Sequence, residues 1–291
     1  MAKHEPGAGL VFIDLAIIYD DKTQISKPEH PDMTAMLTNK CSTVLMTARG
    51  SEQIQETVLD ERPFSVSLND ELIGSSMVLA TDLEEFAAGF LFGQGYLNKD
   101  DDILEINVCP EGRVDVYADV LVDRNQEMIT TSGCGGSGKI ARRLLDEELP
   151  GLPEFRLDFA GLGELVKNTL SASPLSQQTH CVHGCGYLSQ KGFEACFEDV
   201  GRHNAVDKVL GAILLGRFSP AGAIYTTGRL TSDMVLKCAR IGIPIVLSRT
   251  SPSSLGLEIA RKAGITLGAY VRPNRINVFN APQRIIPDQA T

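Results

Sequence analysis

No stretch of this 291-residue sequence approaches the ~20 consecutive apolar residues that a membrane helix needs. The early run LVFIDLAIIYD is interrupted by Asp14, and neither a basic flank nor a small-residue cleavage site frames it as a signal peptide. Positive charge is also short. Lys and Arg number 27 against 37 Asp and Glu, a formal net charge of −10. That balance excludes a surface dominated by nucleic-acid phosphate contacts, while leaving room for one basic pocket around an anionic ligand. Seven scattered cysteines, an odd number in a chain this long, do not make a disulfide framework. Reduced thiols and a cytoplasmic location without a membrane partner are the expectation. Internal repeats and low-complexity tracts are absent too.

What is present reads as an ordinary globular protein, with 43% hydrophobic and 22% charged residues in one large domain or two smaller ones. Residues 1–40, with Pro28 and Pro31 framing a polar stretch, read as an extension. From Ser51 strands are expected at QIQETVLD and PFSVSLN, with Asn69-Asp70 turning the chain into ELIGSSMVLA. Thr81 reads as a helix N-cap completed by Glu84, and Leu83, Phe86, Ala87 and Phe90 line one face of that helix. Strands ILEINVC and RVDVYADVLV close a small α+β lobe at 41–129. A glycine loop and the helix IARRLLDEEL fill 130–150. Beyond them LGELVKNTL is a helix and SASPLSQQ a polar break, and 151–285 alternates strands with helices, an α/β layer structure. Gly242 and Gly264 stand where helix C-caps favour glycine.

Candidate chemistry begins at TTSGCGGSGKIARR, Thr130–Arg143. Its glycine spacing approaches a phosphate-cradling loop, but that loop needs Ser or Thr after the lysine to ligate Mg²⁺, and Ile140 stands there. A thiol reading has better chemistry. Gly133, Gly135, Gly136 and Gly138 surround Cys134 with mobile backbone and no bulk. The helix that follows, with Lys139, Arg142 and Arg143, favours a thiolate.

Further on, Cys181, His183 and Cys185 alternate, placing all three on one face of a strand. The spacing is unlike a zinc knuckle, and small cysteines lining a core explain it better, with His183 left to contact a ligand. FEDVGRHNAVDK gathers Glu198, Asp199, Arg202, His203 and Asp207 at a helix start. Two more helix starts, after Thr226-Thr227-Gly228-Arg229 and at Ser251-Pro252-Ser253-Ser254, follow strands. Their free N–H groups share the sheet edge where α/β proteins bind anions. Arg229, Arg272 and Arg275 are candidate cationic partners there.

Taken together these stretches resemble the formate dehydrogenase accessory sulfurtransferases, the FdhD family, over about residues 52–285. The resemblance rests on the GCG loop at Gly133–Gly135, Thr179 and His183, EDVGRHNAVDK at Glu198–Lys208, GRLTSDMVLKCARIGIPI, the SPSSL turn and TLGAYVRPNRINVF. It implies a cytidine-deaminase-like C-terminal α/β domain beside a smaller β-rich N-terminal α+β lobe, in proteins that are typically homodimers. It implies that sulfur arrives as a persulfide from a cysteine desulfurase and passes to the molybdenum (or tungsten) bis-molybdopterin guanine dinucleotide cofactor, bound as a substrate before it enters the formate dehydrogenase catalytic subunit. Cys134 corresponds to the catalytic loop cysteine. The cofactor-contacting stretch corresponds to Tyr270, Val271, Arg272, Pro273, Asn274 and Arg275; Arg229, Ser253, Ser254, His183 and His203 complete the expected site.

One departure stands out. Many members carry Cys-x-x-Cys in the loop, and Ser137 occupies the second position here. A relay through paired loop thiols is therefore unavailable, while a single-thiol relay at Cys134 survives. Two other readings are a non-catalytic chaperone that only holds the cofactor, and a zinc hydrolase acting on a nucleobase. The hydrolase needs a Pro-Cys-x-x-Cys pair around its metal, and the sequence has none. No intrinsic metal is expected.

Overall fold

The computed structural model describes residues 37–122 and 148–288. The extension up to residue 36, the glycine loop with Cys134, and most of the helix read at IARRLLDEEL lie outside the described residues.

The chain opens with a hairpin, β1 (Thr38–Thr47) and β2 (Gly50–Leu59), paired from Thr38↔Leu59 to Thr47↔Gly50. β1 begins just inside the segment read as an extension. β3 (Arg62–Leu68) and β4 (Glu71–Val78) are joined by Asn69 and Asp70, both at positive φ (49° and 66°). That backbone suits a tight hairpin, and Asn and Asp tolerate it. Asn69 also fastens the turn to its neighbour, donating to the carbonyls of Ala118 and Val120 and accepting from Ala118 N–H. With β5 (Ile103–Cys109) and β6 (Arg113–Ala118) these strands form a four-stranded sheet in the order β4-β3-β6-β5.

Helix α1 (Leu83–Gln94) is buried on nearly every side, because it lies between this sheet and helix α4 (Arg202–Leu214). The helices cross closely. A Cβ on Gly89 would collide with the backbone of Asp207, and one on Gly211 with the backbone of Glu85. Thr81 is not the N-cap. Asp82 precedes the helix in a left-handed conformation without a side-chain cap. Thr81 Oγ1 instead lies 3.4 Å from the ammonium of Lys208, a wholly buried cation that needs every acceptor it can find.

The large sheet has the order β13-β12-β11-β10-β8-β9. Its members are β8 (His183–Ser189), β9 (Gly192–Asp199), β10 (Gly222–Thr226), β11 (Ile245–Ser248), β12 (Thr266–Arg272) and β13 (Arg275–Asn280). β10, β11 and β12 are parallel, as their crossover helices α5 (Ser232–Ile241) and α6 (Ser254–Ala263) require. Both faces are covered. Ala223, Tyr225, Ile245, Leu247 and Val271 pack toward α2 (Phe159–Ser171), while Ile224, Val246 and Leu267 face the larger core shared with α1, α4, α5 and α6. Gly242 and Gly264 cap α5 and α6 in the left-handed conformation expected of them. The polar break at SASPLSQQ contains a short helix, α3 (Pro174–Thr179), started by its proline. Its first free N–H groups, on Leu175 and Ser176, are taken by the Glu198 carboxylate at 3.2 and 2.9 Å. Two short strands, β7 (Leu157–Asp158) and β14 (Ile285–Ile286), pair beside α2.

Candidate functional site

Strand directions bring five chain segments to one edge of the large sheet. β10, β11 and β12 end there; β8, antiparallel to β10, begins there, and β9 ends there, leading into α4. From β8 to β12 this edge spans about 14 Å, three strand spacings. The loops after β10 and β11 are zipped together by Leu230 N–H on Ser251 O (3.2 Å) and Ser253 N–H on Leu230 O (2.9 Å). The starts of α5 and α6 are therefore held side by side.

At one end of the edge sits His183, half-buried, with Nδ1 3.2 Å from Thr227 Oγ1. That hydroxyl also accepts the Gly184 N–H at 3.1 Å, so Thr227 ties the ring to the start of β8. Burial pushes the pKa of His183 down, and Arg202, Arg229 and His203 push it further. The same crowding acts on Arg202, lowered first by burial and then by Arg229, with Asp233 opposing. A Cβ on Gly228 would strike the Arg202 side chain, so the glycine is what lets the guanidinium stem pass. His203 Nε2 lies 2.6 Å from Asp233 Oδ2. Burial alone would raise the Asp233 carboxyl, but the hydrogen bond and charge of His203 hold it well below the usual range. The edge is a concentration of cations on an acidic protein.

Protonation of His183 links stability to pH. Its folded pKa lies below the unfolded value of about 6.5, so its contribution is full above that pH. As pH falls through that value the unfolded chain takes up the proton first, and the contribution is lost on the way to the folded pKa. The fall in melting temperature between pH 7 and pH 5.5 is therefore expected to be smaller in His183→Gln than in the parent. Parallel curves would show that the ring titrates freely.

The remaining expected residues are spread along the same edge. Ser253 caps α6 by accepting the Gly256 N–H at 3.1 Å, and Ser254 beside it is exposed. Tyr270 is 42% exposed, adopts φ 53°, and lies within a register shift between Ala269 and Arg272. Such a conformation is unusual for an aromatic residue, and bulges of this kind re-aim side chains near functional sites. Arg272 donates to the carbonyl of Arg249, and it stands opposite Arg275 across the β12–β13 turn that Pro273 and Asn274 form. Arg272, Asn274 and Arg275 are exposed. Val271 has a different place: its side chain is wholly buried under α2, so only its backbone can meet a ligand.

The EDVGRHNAVDK block divides in two. Asp199, Asn204, Asp207 and Lys208 are buried and structural. Lys208 pairs with Asp199 at 2.9 Å, and Asp207 with Lys237 of α5 at 2.8 Å. Asn204 joins Asp199 to the carbonyl of Met77 in the small lobe. Arg202 and His203 reach the edge. Sequence reasoning missed Thr227 and Asp233 as site residues. Thr227 looked like part of a helix start, and one acid in a first helical turn is an ordinary dipole partner.

Sulfur chemistry is narrowed by burial. The alternation at Cys181, His183 and Cys185 puts only Cys185 in the core; Cys181 precedes the strand and is exposed. Burial pushes Cys185 well up, Cys196 to about 11 and Cys238 to about 12. Burial and then Asp115 raise Cys109 as well. All four are held as thiols. Among the described residues no group of three or more His, Cys, Asp or Glu side chains is arranged to hold a metal ion. Cys109-Pro110-Glu111 has one half of a zinc-deaminase spacing, but it lies where β5 turns into β6, in the other sheet.

The family model for FdhD/NarQ matches residues 59–286, most of the chain. The chain belongs to the FdhD/NarQ family. It is 32% identical over 244 residues to the sulfur carrier protein FdhD of Agrobacterium fabrum, covering 80% of this chain and 90% of that one. The sulfur carrier protein FdhD of Wolinella succinogenes is 30% identical over 240 residues, with 79% and 83% covered. A crystal structure described as a formate dehydrogenase accessory protein from Desulfotalea psychrophila superposes with a TM-score of 0.76. It has 53% identity and covers 86% of this chain and all of the other. The mixed α/β architecture expected from the FdhD resemblance is the one observed. Among the described residues no helix is long and apolar enough to cross a membrane.

Proposed function

We propose that this protein is a sulfur carrier for formate dehydrogenase. It receives persulfide sulfur from a cysteine desulfurase on Cys134 and delivers it to the molybdenum (or tungsten) bis-guanine-dinucleotide cofactor, held as a substrate along the cationic sheet edge. In loading, the Cys134 thiolate attacks the outer sulfur of the donor persulfide. The donor's S–S bond breaks, its cysteine leaves as a thiolate, and Cys134 becomes the persulfide.

The observation that carries this reading is the convergence of Arg202, His203, Arg229 and the starts of α4, α5 and α6 on one edge of a protein whose net charge is −10. Like charges crowded on one edge repel, and a pyrophosphate relieves that repulsion while taking up free N–H groups. Kinship to sulfur carriers supports the sulfur half, and burial of Cys185 and Cys238 with the raised pKa of Cys196 favours a cysteine elsewhere. A dimer of two such chains, working in the cytoplasm, is part of the proposal.

Guanosine diphosphate is the available probe of the cofactor half. Arg229→Ala and Arg275→Ala are each expected to weaken its binding by about 1.5–3 kcal/mol, the range for a hydrogen bond to a charged group. Neither is expected to change sulfur loading at Cys134. Calorimetry on the purified variants checks this, and unchanged affinity in both would move the pocket away from this edge.

A further inference from the structure

Among the described residues two aromatic side chains stand out in solvent, Tyr270 at 42% exposure and Phe279 at 38%, and they lie side by side. Their ring centroids are 6.4 Å apart and the planes meet at 45°, an ordinary geometry for an aromatic pair. The other described phenylalanines and tyrosines are buried or half-buried. A single exposed ring is common on a protein surface and asks for no reason. Two exposed rings set together by irregular backbone do ask for one.

Both rings owe their places to breaks in the pairing of β12 with β13. Asn280 pairs with Leu267 and Val278 with Gly268, so Phe279 between them has no partner and bulges from the edge strand. Further along, Ala269 pairs with Asn277 and Arg272 with Arg275, so Tyr270 lies in a second irregular stretch, held at φ 53°. In a regular strand Tyr270 would share the face of Gly268, where Ile276 and Leu247 fill the space in the core under α2. The bulges turn both rings outward instead. A bulge can also blunt a sheet edge against pairing with another chain. A charged side chain serves that purpose, and a pair of large rings works against it.

The pair borders the cationic edge. Tyr270 N–H donates to the Thr250 carbonyl at 3.0 Å, and Thr250 Oγ1 donates to the Gly228 carbonyl at 3.1 Å. Arg229 follows Gly228, and the Arg202 side chain passes over that glycine. Tyr270 on β12 and Arg229 after β10 are therefore about 10 Å apart, two strand spacings. A nucleoside diphosphate bridges such a span between its base and its terminal phosphate. Aromatic faces take up bases by stacking, and cations beside them take the phosphates.

We propose that Phe279, together with Tyr270, is the platform on which the guanine base of the cofactor stacks, a base subsite beside the phosphates at the cationic edge. Phe279 lies beyond the stretch Tyr270–Arg275. The two rings are too close for a base to slide between them, so it lies across their outer face. This deepens the proposed function and rests on its placing phosphates at this edge.

The test is the calorimetric affinity of the full-length protein for guanosine diphosphate, which carries a base, and for inorganic pyrophosphate, which does not. Phe279 is exposed, so truncating it leaves the core intact. Phe279→Ala is expected to bind guanosine diphosphate roughly tenfold more weakly, within the range of base–aromatic stacking, and pyrophosphate as the parent does. Phe279→Leu keeps the bulk without the aromatic face and is expected to lose nearly as much, while Phe279→Tyr binds like the parent. The sequence has no tryptophan, so Phe279→Trp introduces a single indole. Its emission is expected to be quenched by guanosine diphosphate and unchanged by pyrophosphate. Parental guanosine diphosphate affinity in Phe279→Ala, full rescue by leucine, or an equal loss for both probes overturns the inference. So does an unquenched indole in a Phe279→Trp protein that still binds guanosine diphosphate. A parent that binds neither probe would instead strike at the placement of the phosphates.

Discussion

Formate dehydrogenase matured with Cys134→Ala is expected to be inactive, at the level of cells lacking this protein, while guanosine diphosphate binds the variant as it binds the parent. The argument is one of elimination joined to kinship. Transfer of sulfane sulfur needs an accessible thiolate, and a thiol held up by burial rarely supplies one. Cys185, Cys196, Cys238 and Cys109 are all pushed up, which leaves Cys41, Cys134 and the exposed Cys181. Kinship to sulfur carriers and the intact-mass comparison below choose among these. Cys134, flanked by Gly133 and Gly135, is the thiol we propose for the transfer. A variant that binds nucleotide but leaves its client dead is a carrier that has lost its cargo. A client that matures normally with Cys134→Ala would make this protein a chaperone for the cofactor. Ser137→Ala serves as the control and is expected to cost little, because a hydroxyl cannot carry sulfane sulfur.

A loss of about 3–5 kcal/mol of folding stability is the expected result of Asp199→Ala. The Asp199 carboxylate accepts from Lys208 at 2.9 Å, from Asn204 Nδ2 at 2.8 Å, from Gly201 N–H at 3.0 Å and from Leu79 N–H at 3.2 Å. Both charged side chains are wholly buried, so the truncation leaves the Lys208 ammonium hydrogen-bonded to the Glu198 carbonyl and the Thr81 hydroxyl, with the Glu198 carboxylate acting on it from further off. Breaking one side of such a pair costs about 3–5 kcal/mol. Leu79 and Thr81 belong to the small lobe and Asp199 to the large sheet, so the same change loosens the join between them. Urea denaturation reads the cost. A shift under about 1 kcal/mol would show that Lys208 finds other partners or water.

Much of this architecture is legible in the sequence, because strand and helix periods are strong where burial is strong. The alternation from His183 onward reads correctly, since β10 to β12 are buried on both faces and separated by capped helices. Thr81 misleads because its hydroxyl has a stronger claimant in Lys208, 127 positions away. The SASPLSQQ segment hides α3, whose start is satisfied by Glu198 from another strand and not by a local cap. Long-range partners of this kind leave no local pattern.

The site divides along the same line. His183, His203 and Arg229 are recognisable as chemistry-bearing residues, and the topology does bring them together. Asp233 and Thr227 lie against His203 and His183, and only the geometry reveals such contacts. Val271 errs in the opposite sense. It lies within a stretch singled out for ligand contact, yet the strand period turns its side chain into the core.

The central claim, that sulfur travels on Cys134, is tested most directly by intact mass of the purified protein after incubation with a cysteine desulfurase and cysteine. The parent and Cys181→Ala, which removes the exposed thiol next to His183, are both predicted to gain the mass of one sulfur atom, released by a thiol reductant. Cys134→Ala is predicted to gain none. A reducible mass gain that persists in Cys134→Ala and disappears in Cys181→Ala would contradict the account.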